Sequence, residues 1–270
     1  MKQMGIITNN ITGVFQRDVI SGIEQVASAQ GYAVKLFISA DNPQYSTTML
    51  SDFHALDGLL IIANAAQDDV LRALHQYHKP ISLVSHQVAG TSIPMVMTNN
   101  VQGIAELVHH LVVRCSRRKL VFIRGLMDQN DGREREIAFR QELIRYDVQI
   151  PELHFLRGDF DPETASASVR ALLDSGSEFD GIIACDYLMG AAAVNTLRAV
   201  GVRVPEDVSV VGYGDAPEAE AAGLTTVAAN IVDLGACAAR QLISQIRGLR
   251  ISGVTVLSVG LVTRDTSGCA

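Results

Sequence analysis

Short apolar segments alternate with amphipathic segments along this chain, and this alternation limits the possible folds more than any other feature. The segment 59–62 (LLII) is apolar at every position, as expected for a strand in a sheet that is covered on both faces. The segment 15–30 instead places Val19 and Ile23 on one helical face and is followed by Gly31, a pattern typical of an amphipathic helix and its end. Strands that alternate with helices predict βαβ units and parallel sheets.

The alternation occurs in two similar series, which predicts an α/β chain with two similar lobes. A helix at 234–246 and a strand at 254–262 remain after both series and must join lobes already formed. In the first series we predict strands at 4–8, 33–38, 58–63 and 81–85, with helices at 15–30, 43–54 and 68–77. In the second series, after 95–98, we predict strands at 120–123, 154–157, 181–184 and 208–211, with helices at 99–113, 133–146, 162–175 and 188–200.

Composition excludes several classes of protein. The 270 residues are 48% hydrophobic and 19% charged, which provides a core and argues against disorder. A formal net charge of −7 is opposite to the basic surface of a domain that grips nucleic acid by itself. The N-terminus offers no signal-peptide core, and no apolar run is long enough to span a bilayer. The four scattered cysteines are expected to be reduced. We therefore expect a cytoplasmic protein with no membrane partner.

Candidate ligand residues follow the predicted strands, because open parallel sheets bind ligands beyond the carboxyl ends of their strands. With two lobes facing each other, those ends would line a shared cleft. An arginine such as Arg135 can donate two hydrogen bonds to a polar ligand; the alternative is an ion pair with Asp131, Glu134 or Glu136. Phe15 is either a wall of the cleft or a residue that packs the first helix onto its sheet. The positions after strands are Asn9, Asn10, Asp41, Ser85, His86, the loop from Gly125 to Arg135, Cys185, Asp186, Gly214 and Asp215.

Catalytic, metal and cofactor motifs are missing from the sequence. The segment 212–215 (GYGD) has Pro217 where a dinucleotide fingerprint needs a third glycine. His75 and His78 lie three residues apart, and His109 and His110 are adjacent, but neither pair has a third ligand at a suitable spacing. No combination of nucleophile, base and oxyanion hole can be assembled. We predict no catalytic residues, no metal site and no cofactor, so the chain is not expected to be an enzyme.

Several motifs resemble the effector-binding domain of the LacI/GalR family of transcription regulators. The most specific is 201–213 (GVRVPEDVSVVGY), followed by 224–227 (LTTV), which is similar to the family signature GxxVPxDVSVxG[FY]DD…LTTV. The segment 135–139 resembles the family's RxxGF, and 261–265 (LVTRD) resembles its closing LVxR[ED] strand. The resemblance covers the chain from Met4 to about Ser267.

The resemblance implies the periplasmic-binding-protein type I fold, with two Rossmann-like lobes joined by three crossovers. Residues 1–98 with 229–250 would form the N-terminal lobe, and residues 99–228 with 251–270 the C-terminal lobe. It also implies a homodimer, formed through the helix at 68–77 and its neighbours. The family's N-terminal helix-turn-helix is absent from these residues, so contact with DNA is expected only through a module outside this chain.

The likeness is weaker at the family's sugar-binding positions. The family's aspartate and arginine fall on Ser85 and His86, the asparagine before Asp186 is Cys185, and the first of two aspartates is Gly214, which leaves Asp215. A glutamine that often follows the TTV motif falls on Ala229. Phe15 and Arg135 keep the expected residue types. Each sugar hydroxyl left unpaired costs roughly 1–3 kcal/mol, which argues against an ordinary hexose.

The sequence thus predicts a small-molecule effector-binding domain whose ligand, a small polar molecule that is a sugar or sugar-like, controls DNA binding elsewhere in the protein. Two alternatives remain open at this stage, namely a sensor domain fused to a signalling output and a free solute-binding protein. The predicted ligand-binding residues are Asn10, Phe15, Ser85, His86, Arg135, Cys185, Asp186 and Asp215.

Overall fold

The computed structural model of the chain describes residues 2–39, 53 and 55–268. Candidate residue Asp41 lies outside these residues. So does the predicted helix at 43–54, except for Phe53. The described chain divides into two compact units, Met1–Thr98 with Asn230–Leu257 and Asn99–Ala229 with Ser258–Ala270.

Unit 1 is built on a sheet of six described strands in the order β11-β5-β4-β3-β1-β2, and every neighbouring pair is parallel. Strands β3, β4 and β5 are buried at every position, in agreement with their mainly apolar sequences. The strands are β1 (Lys2–Thr8), β2 (Tyr32–Ile38), β3 (Gly58–Ile62), β4 (Ile81–Val84), β5 (Met95–Thr98) and β11 (Val254–Leu257), and the helices are α1 (Val14–Ala29), α2 (Asp68–Gln76) and α8 (Ile231–Ile246).

Unit 2 repeats this arrangement, with six described strands in the order β12-β10-β9-β8-β6-β7. Only the pair β10 and β12 is antiparallel among the described strands of this sheet. The strands are β6 (Leu120–Arg124), β7 (Phe155–Arg157), β8 (Gly181–Ala184), β9 (Ser209–Tyr213), β10 (Thr225–Ala228) and β12 (Gly260–Val262). The helices are α3 (Asn100–His109), continued by a π-helical turn (His110–Arg114), α4 (Asn130–Arg145), α5 (Pro162–Asp174), α6 (Tyr187–Ala199) and α7 (Pro217–Ala222).

The first five strands of each unit have the same spatial order, 2-1-3-4-5, counted along each unit. In such doubly wound sheets the connections leave in opposite directions on either side of the first strand, and a crevice opens at that switch point. In unit 1 the switch point lies between β1 and β3, and in unit 2 between β6 and β8. The predicted fold class, two parallel-sheet α/β units crossed three times by the chain, is confirmed.

One predicted element and one predicted boundary are wrong. The single strand expected at 254–262 is two strands, because β11 extends the sheet of unit 1 beside β5 and β12 pairs with β10 in unit 2. Residues 251–257 therefore belong to unit 1, and the last crossing follows Leu257. The segment 254–262 (VTVLSVGLV) contains no proline to mark the break at Ser258 and Val259.

The described cysteines differ from expectation at one position. Cys185 and Cys237 are free, but Cys115 is disulfide-bonded, so the prediction of reduced thiols throughout is wrong for Cys115. In the described part of the chain, no helix is both long and apolar enough to cross a membrane.

Two glycines allow α1 and α8 of unit 1 to pack backbone against backbone. A Cβ atom added at Gly22 would lie 1.9 Å from the carbonyl oxygen of Val232, and one added at Gly235 would lie 2.0 Å from that of Val19. Neither obstacle is a flexible side chain that could move aside. Helix α8, which follows the second crossing, can therefore approach α1 closely because each helix has a glycine at the contact.

We predict that Gly22→Ala lowers the free energy of unfolding by about 1–3 kcal/mol, because the added methyl group forces two helices apart. Urea denaturation followed by circular dichroism measures this change. Gly260→Ala is the control, since a Cβ there would meet nothing within 4 Å, and we expect its effect to stay within about 0.5 kcal/mol. Equal stability of Gly22→Ala and the wild-type chain would contradict the close packing.

Candidate functional site

The candidate residues of unit 1 lie after β1 and β4, at the carboxyl-end rim of its sheet. Asn10 is exposed, and its Oδ1 accepts a hydrogen bond from Gly13 N at 3.0 Å, which holds the turn that leads into α1. Phe15, in the first turn of α1, is half-buried and packs against the core of unit 1. Its ring therefore has the packing role considered above, while part of its surface remains open.

Ser85 is the only described residue of this rim whose buried side-chain oxygen has no partner. The residue is 4% exposed, its backbone is left-handed with φ of 52°, and its Oγ makes no hydrogen bond with any described residue. A buried hydroxyl without a partner costs roughly 1–3 kcal/mol. A ligand hydroxyl or amide that reached Ser85 Oγ would recover part of this free energy.

His86 is buried and held by polar partners on both sides of its ring. Its Nδ1 lies 2.8 Å from Oδ1 of Asn64, and its Nε2 lies 3.0 Å from Oδ1 of Asp68. Asp68 begins α2 and also contacts Arg72 at 3.3 Å. His86 is therefore fixed in orientation by residues that follow β3 and by the start of α2, none of which the sequence pattern had singled out.

In unit 2, Arg135 is buried and its guanidinium group is bound on every side. Nε donates to Oδ1 of Asn100 and Nη1 donates to the carbonyl oxygen of Cys185, both at 2.8 Å. Nη2 lies 3.4 Å from Oδ2 of Asp131, and the guanidinium carbon lies 3.7 Å from the centre of the Tyr213 ring. Burial opposes the charge of Arg135, but the neighbouring groups together, with Asp131 contributing most, outweigh it and the pKa of Arg135 is raised. The group is a cation anchored within its own unit.

Acidic residues surround this arginine and balance its charge. Asn100, itself buried, donates through Nδ2 to Oδ1 of Asp131 and to Oε2 of Glu134, both at 2.9 Å. Of the ion pairs considered from the sequence, the one with Asp131 is present. Asn100 was not identified as a site residue from the sequence. Asp131 lies in the candidate segment from Gly125 to Arg135, and the structure places it in the first turn of α4.

Cys185 and Asp186 follow β8 and differ in accessibility. The side chain of Cys185 is fully buried in the core of unit 2, and burial raises the pKa of its thiol to about 12. Its carbonyl oxygen, which binds Arg135, is the atom that contributes to the rim. Asp186 caps α6 by accepting from Met189 N at 2.8 Å, and burial raises the pKa of this carboxyl to about 6.

Asp215, after β9, is bound by the C-terminal segment of the chain. Arg264 reaches both carboxylate oxygens, with Nη1 at 2.8 Å from Oδ1 and Nη2 at 2.9 Å from Oδ2, and Thr226 Oγ1 donates to Oδ1 at 2.9 Å. Burial alone would raise the pKa of Asp215, but these hydrogen bonds lower it overall. Gly214 precedes it with φ of 89°, a conformation that favours glycine over the aspartate of the family pattern.

Hydrogen bonds continue from Arg264 to the π-helical turn. Arg264 N donates to Thr225 Oγ1 at 2.8 Å, Thr225 Oγ1 lies 2.8 Å from Ser267 Oγ, and Ser267 Oγ lies 2.9 Å from His110 Nε2. The motif at 261–265 flagged this segment in the sequence, but its role in binding Asp215 was not predicted.

The described residues of the rim of unit 2 offer hydrogen-bond donors and acceptors. Arg135, Asp186 and Asp215 lie at the ends of neighbouring strands or on the helix after them, and each is fixed by contacts inside unit 2. Among the described residues, no group of three or more histidine, cysteine, aspartate or glutamate side chains could hold a metal ion.

Comparison with known proteins agrees with this architecture. The family model described as "Periplasmic binding protein-like domain" matches residues 108–267. The HTH-type transcriptional regulator CelR of Thermobifida fusca is 28% identical over 264 residues, which are 93% of this chain and 76% of CelR.

Two solved structures show the same fold. A complex of the transcriptional regulator CelR with cellobiose has a TM-score of 0.89 and 25% identity, covering 98% of this chain and 84% of that one. The Lac repressor dimer bound to operator and the anti-inducer ONPF has a TM-score of 0.86 and 19% identity, covering 98% and 93%.

The fold and the matched model define the class of protein, and the chain belongs to the family of periplasmic-binding-protein-like domains. Within that class its relatives are LacI-type transcription regulators, so the resemblance seen in the motifs is confirmed.

We predict that Asp186→Asn stabilises the protein at neutral pH and has little effect at acidic pH. A carboxyl whose pKa rises on folding, here to about 6, contributes stability below its unfolded pKa and loses that contribution as pH rises through 6. Asparagine keeps the cap and does not ionise. From pH 4 to pH 7.5 the gain of Asp186→Asn over wild type should grow to about 3 kcal/mol.

Asp161→Asn is the matched control, measured by urea denaturation across the same pH range. Asp161 also caps a helix, but its hydrogen bonds from Thr164 lower its pKa. Because a lowered pKa changes stability only at pH values below the ordinary pKa of an aspartate, the effect of that substitution should stay nearly constant from pH 4 to pH 7.5. The same pH trend for both variants would contradict the raised pKa of Asp186.

Proposed function

We propose that this chain is the effector-binding domain of a LacI-type transcription regulator. A small polar molecule bound at the carboxyl-end rims of the two units would control DNA binding by a module outside these 270 residues. The observation that carries the proposal is the rim of unit 2, where a buried arginine and two fixed carboxylates follow strands around a switch point. The relative CelR is a transcriptional regulator. The proposed role is regulatory and not enzymatic, and it would be exercised in the cytoplasm, where the DNA is.

The charge of the rim favours a neutral ligand with several hydroxyl groups over an anion. A guanidinium group such as that of Arg135 can bind a carboxylate, a phosphate or a diol, but the charge of Arg135 is already matched by Asp131 and its donors are largely in use. Asp186 and Asp215 add acceptor oxygens to the same rim. A phosphate would be repelled by these carboxylates, whereas hydroxyl groups can donate to them.

The contributions of the predicted ligand-binding residues differ in kind. We propose that Arg135, Asp186 and Asp215 provide polar contacts from unit 2, with Cys185 acting through its carbonyl group. From unit 1 we propose Ser85 as a hydrogen-bonding partner, Phe15 as a stacking surface, and His86 and Asn10 as polar contacts. The occurrence of a cellobiose complex for CelR supports a sugar-like molecule, and the changes at Ser85, Cys185 and Gly214 favour one other than an ordinary hexose.

We predict that a thermal-shift screen over sugars, nucleosides, sugar phosphates and organic acids will identify a neutral polyhydroxylated ligand. A ligand at 100 times its Kd adds about 2.7 kcal/mol to stability, which raises the Tm of a chain of this size by roughly 5–10 °C. Stabilisation by phosphorylated or carboxylated compounds alone would contradict the proposed ligand class.

Ser85→Ala should separate ligand binding from folding. It removes a buried hydroxyl without a partner, so the stability of the free protein should stay equal or rise by about 1 kcal/mol, while ligand affinity falls about 5- to 100-fold. Ser82→Ala is the control, because Ser82 is equally buried but bonds Gln241 Oε1 at 3.0 Å. Ser82→Ala should lower stability and should not change the Kd of the ligand found in the screen, which calorimetry measures. Unchanged affinity in Ser85→Ala would remove Ser85 from the site.

We further predict that the 270-residue chain forms a homodimer and does not bind duplex DNA at physiological salt. The proposed dimer uses α2 (Asp68–Gln76) and its neighbours, and the net charge of −7 opposes contact with phosphates. Sedimentation at micromolar concentration and a gel shift test the two parts. A monomer, or salt-sensitive DNA binding with a sub-micromolar Kd, would contradict them.

A further inference from the structure

A second pocket lies in unit 2, apart from all the proposed effector residues. It is formed by α3, the π-helical turn His110–Arg114, the end of α4 and the edge strand β12, and its volume is about 470 Å³. This volume is typical of sites for small molecules. Among the residues that line it are Ala105, His109, Arg114, Arg145, Tyr146 and Leu261.

Positive charge dominates the wall of this pocket. The guanidinium group of Arg114 makes no hydrogen bond or ion pair with any residue in the described part of the chain. Arg145 contacts only Glu142 through an ion pair, at 3.5 Å, and its side chain is 66% exposed. The acidic residue on the wall, Glu106, already accepts a hydrogen bond from Gln102 Nε2 at 2.7 Å.

The lowered pKa of His110 is consistent with a positive electrostatic potential in this pocket. Burial lowers the pKa of His110, and the nearby charges of Arg114 and His109 lower it further. His110 also lies at one end of the hydrogen-bonded chain through Ser267 and Thr225 that leads to Arg264. An occupant of the pocket would therefore contact a residue joined to the segment that holds Asp215.

Part of the remaining wall is apolar. Ala105 and Leu261 present aliphatic surface, and the ring of Tyr146 is held by a hydrogen bond between its hydroxyl group and His109 Nδ1 at 2.9 Å. The π-helical turn is closed by Cys115 N, which donates to the carbonyl oxygen of His110 at 3.0 Å. Single π-helical turns are rare and occur often at functional sites.

From this combination we infer that the pocket binds a small organic carboxylate with an apolar body. The carboxylate would be bound by Arg114 and Arg145, and the body would pack against Ala105, Leu261 and Tyr146. A bidentate bond to Arg114 satisfies donors that have no partner in the described chain. This pocket would prefer an anion, whereas the strand-end rim would prefer a neutral molecule, so the two sites would bind different ligands.

Benzoate and benzamide are a suitable pair of probes, because they have nearly the same shape and only benzoate is charged. Titrations of the 270-residue chain, labelled with ¹³C at alanine and leucine methyl groups, report binding at Ala105 and Leu261 by NMR. We expect saturable shifts at both methyl groups with benzoate and at least tenfold weaker binding of benzamide. Arg114→Gln should weaken benzoate binding at least tenfold and leave benzamide binding unchanged.

Two further variants control for site and charge. Ala105→Trp fills the pocket and should abolish binding of both probes, with its melting curve showing that the chain remains folded. Arg170→Gln removes an exposed arginine on α5, away from the pocket lining, and should leave benzoate binding unchanged. Equal affinity for the two probes, benzoate binding that survives Arg114→Gln, or shifts that spare Ala105 and Leu261 would each overturn the proposal.

Discussion

The parallel pairing of strands is the constraint on which the rest of this structure depends. Because neighbouring strands run in the same direction, each must be followed by a crossover, and all their carboxyl ends meet at one edge of the sheet. Covering both faces with helices then requires strands that are apolar throughout, as in β3 (Gly58–Ile62) and β8 (Gly181–Ala184). Polar residues inside a buried strand need partners, as Ser82 of β4 has in Gln241. Accessible polar residues therefore collect where the strands end, so packing and the position of the candidate site have the same cause.

Electrostatic balance inside unit 2 determines what its rim can accept. Arg135 is buried, and the cost of burying its charge is offset by Asp131, by two hydrogen bonds and by the face of Tyr213. The negative charge of Asp215 is balanced in the same way by Arg264. Groups held like this keep their positions without a ligand, which reduces the entropy lost on binding. Their charges are also used within the unit, so they provide directional hydrogen bonds and little net attraction for an ion.

The sequence predicts the α/β class, the two series and most element positions, because these depend on local periodicity. It places the residues after strands for the same reason. It does not predict which atoms of those residues face outwards. Cys185 directly follows β8 and its side chain is buried like those of the strand. Its thiol therefore lies in the core, and only its carbonyl group remains at the rim.

Contacts between distant segments are beyond such reasoning. Nothing in the local pattern around Asp215 indicates that Arg264, 49 residues later, binds it. The boundary at Ser258 is missed because no glycine or proline stands between β11 and β12, and Gly260 is already the first residue of β12. The motifs shared with LacI-type regulators mark the segment around Arg264 without giving its chemical role.

The central claim is that a small polar molecule binds where the strands of the two sheets end. Hydrogen exchange followed by mass spectrometry, with and without the ligand found by thermal shift, tests it most directly. The account predicts slower exchange in peptides that contain Ser85 and His86, the loop before Arg135, Asp186 and Asp215. Protection confined to other segments, with these peptides unchanged, would contradict it.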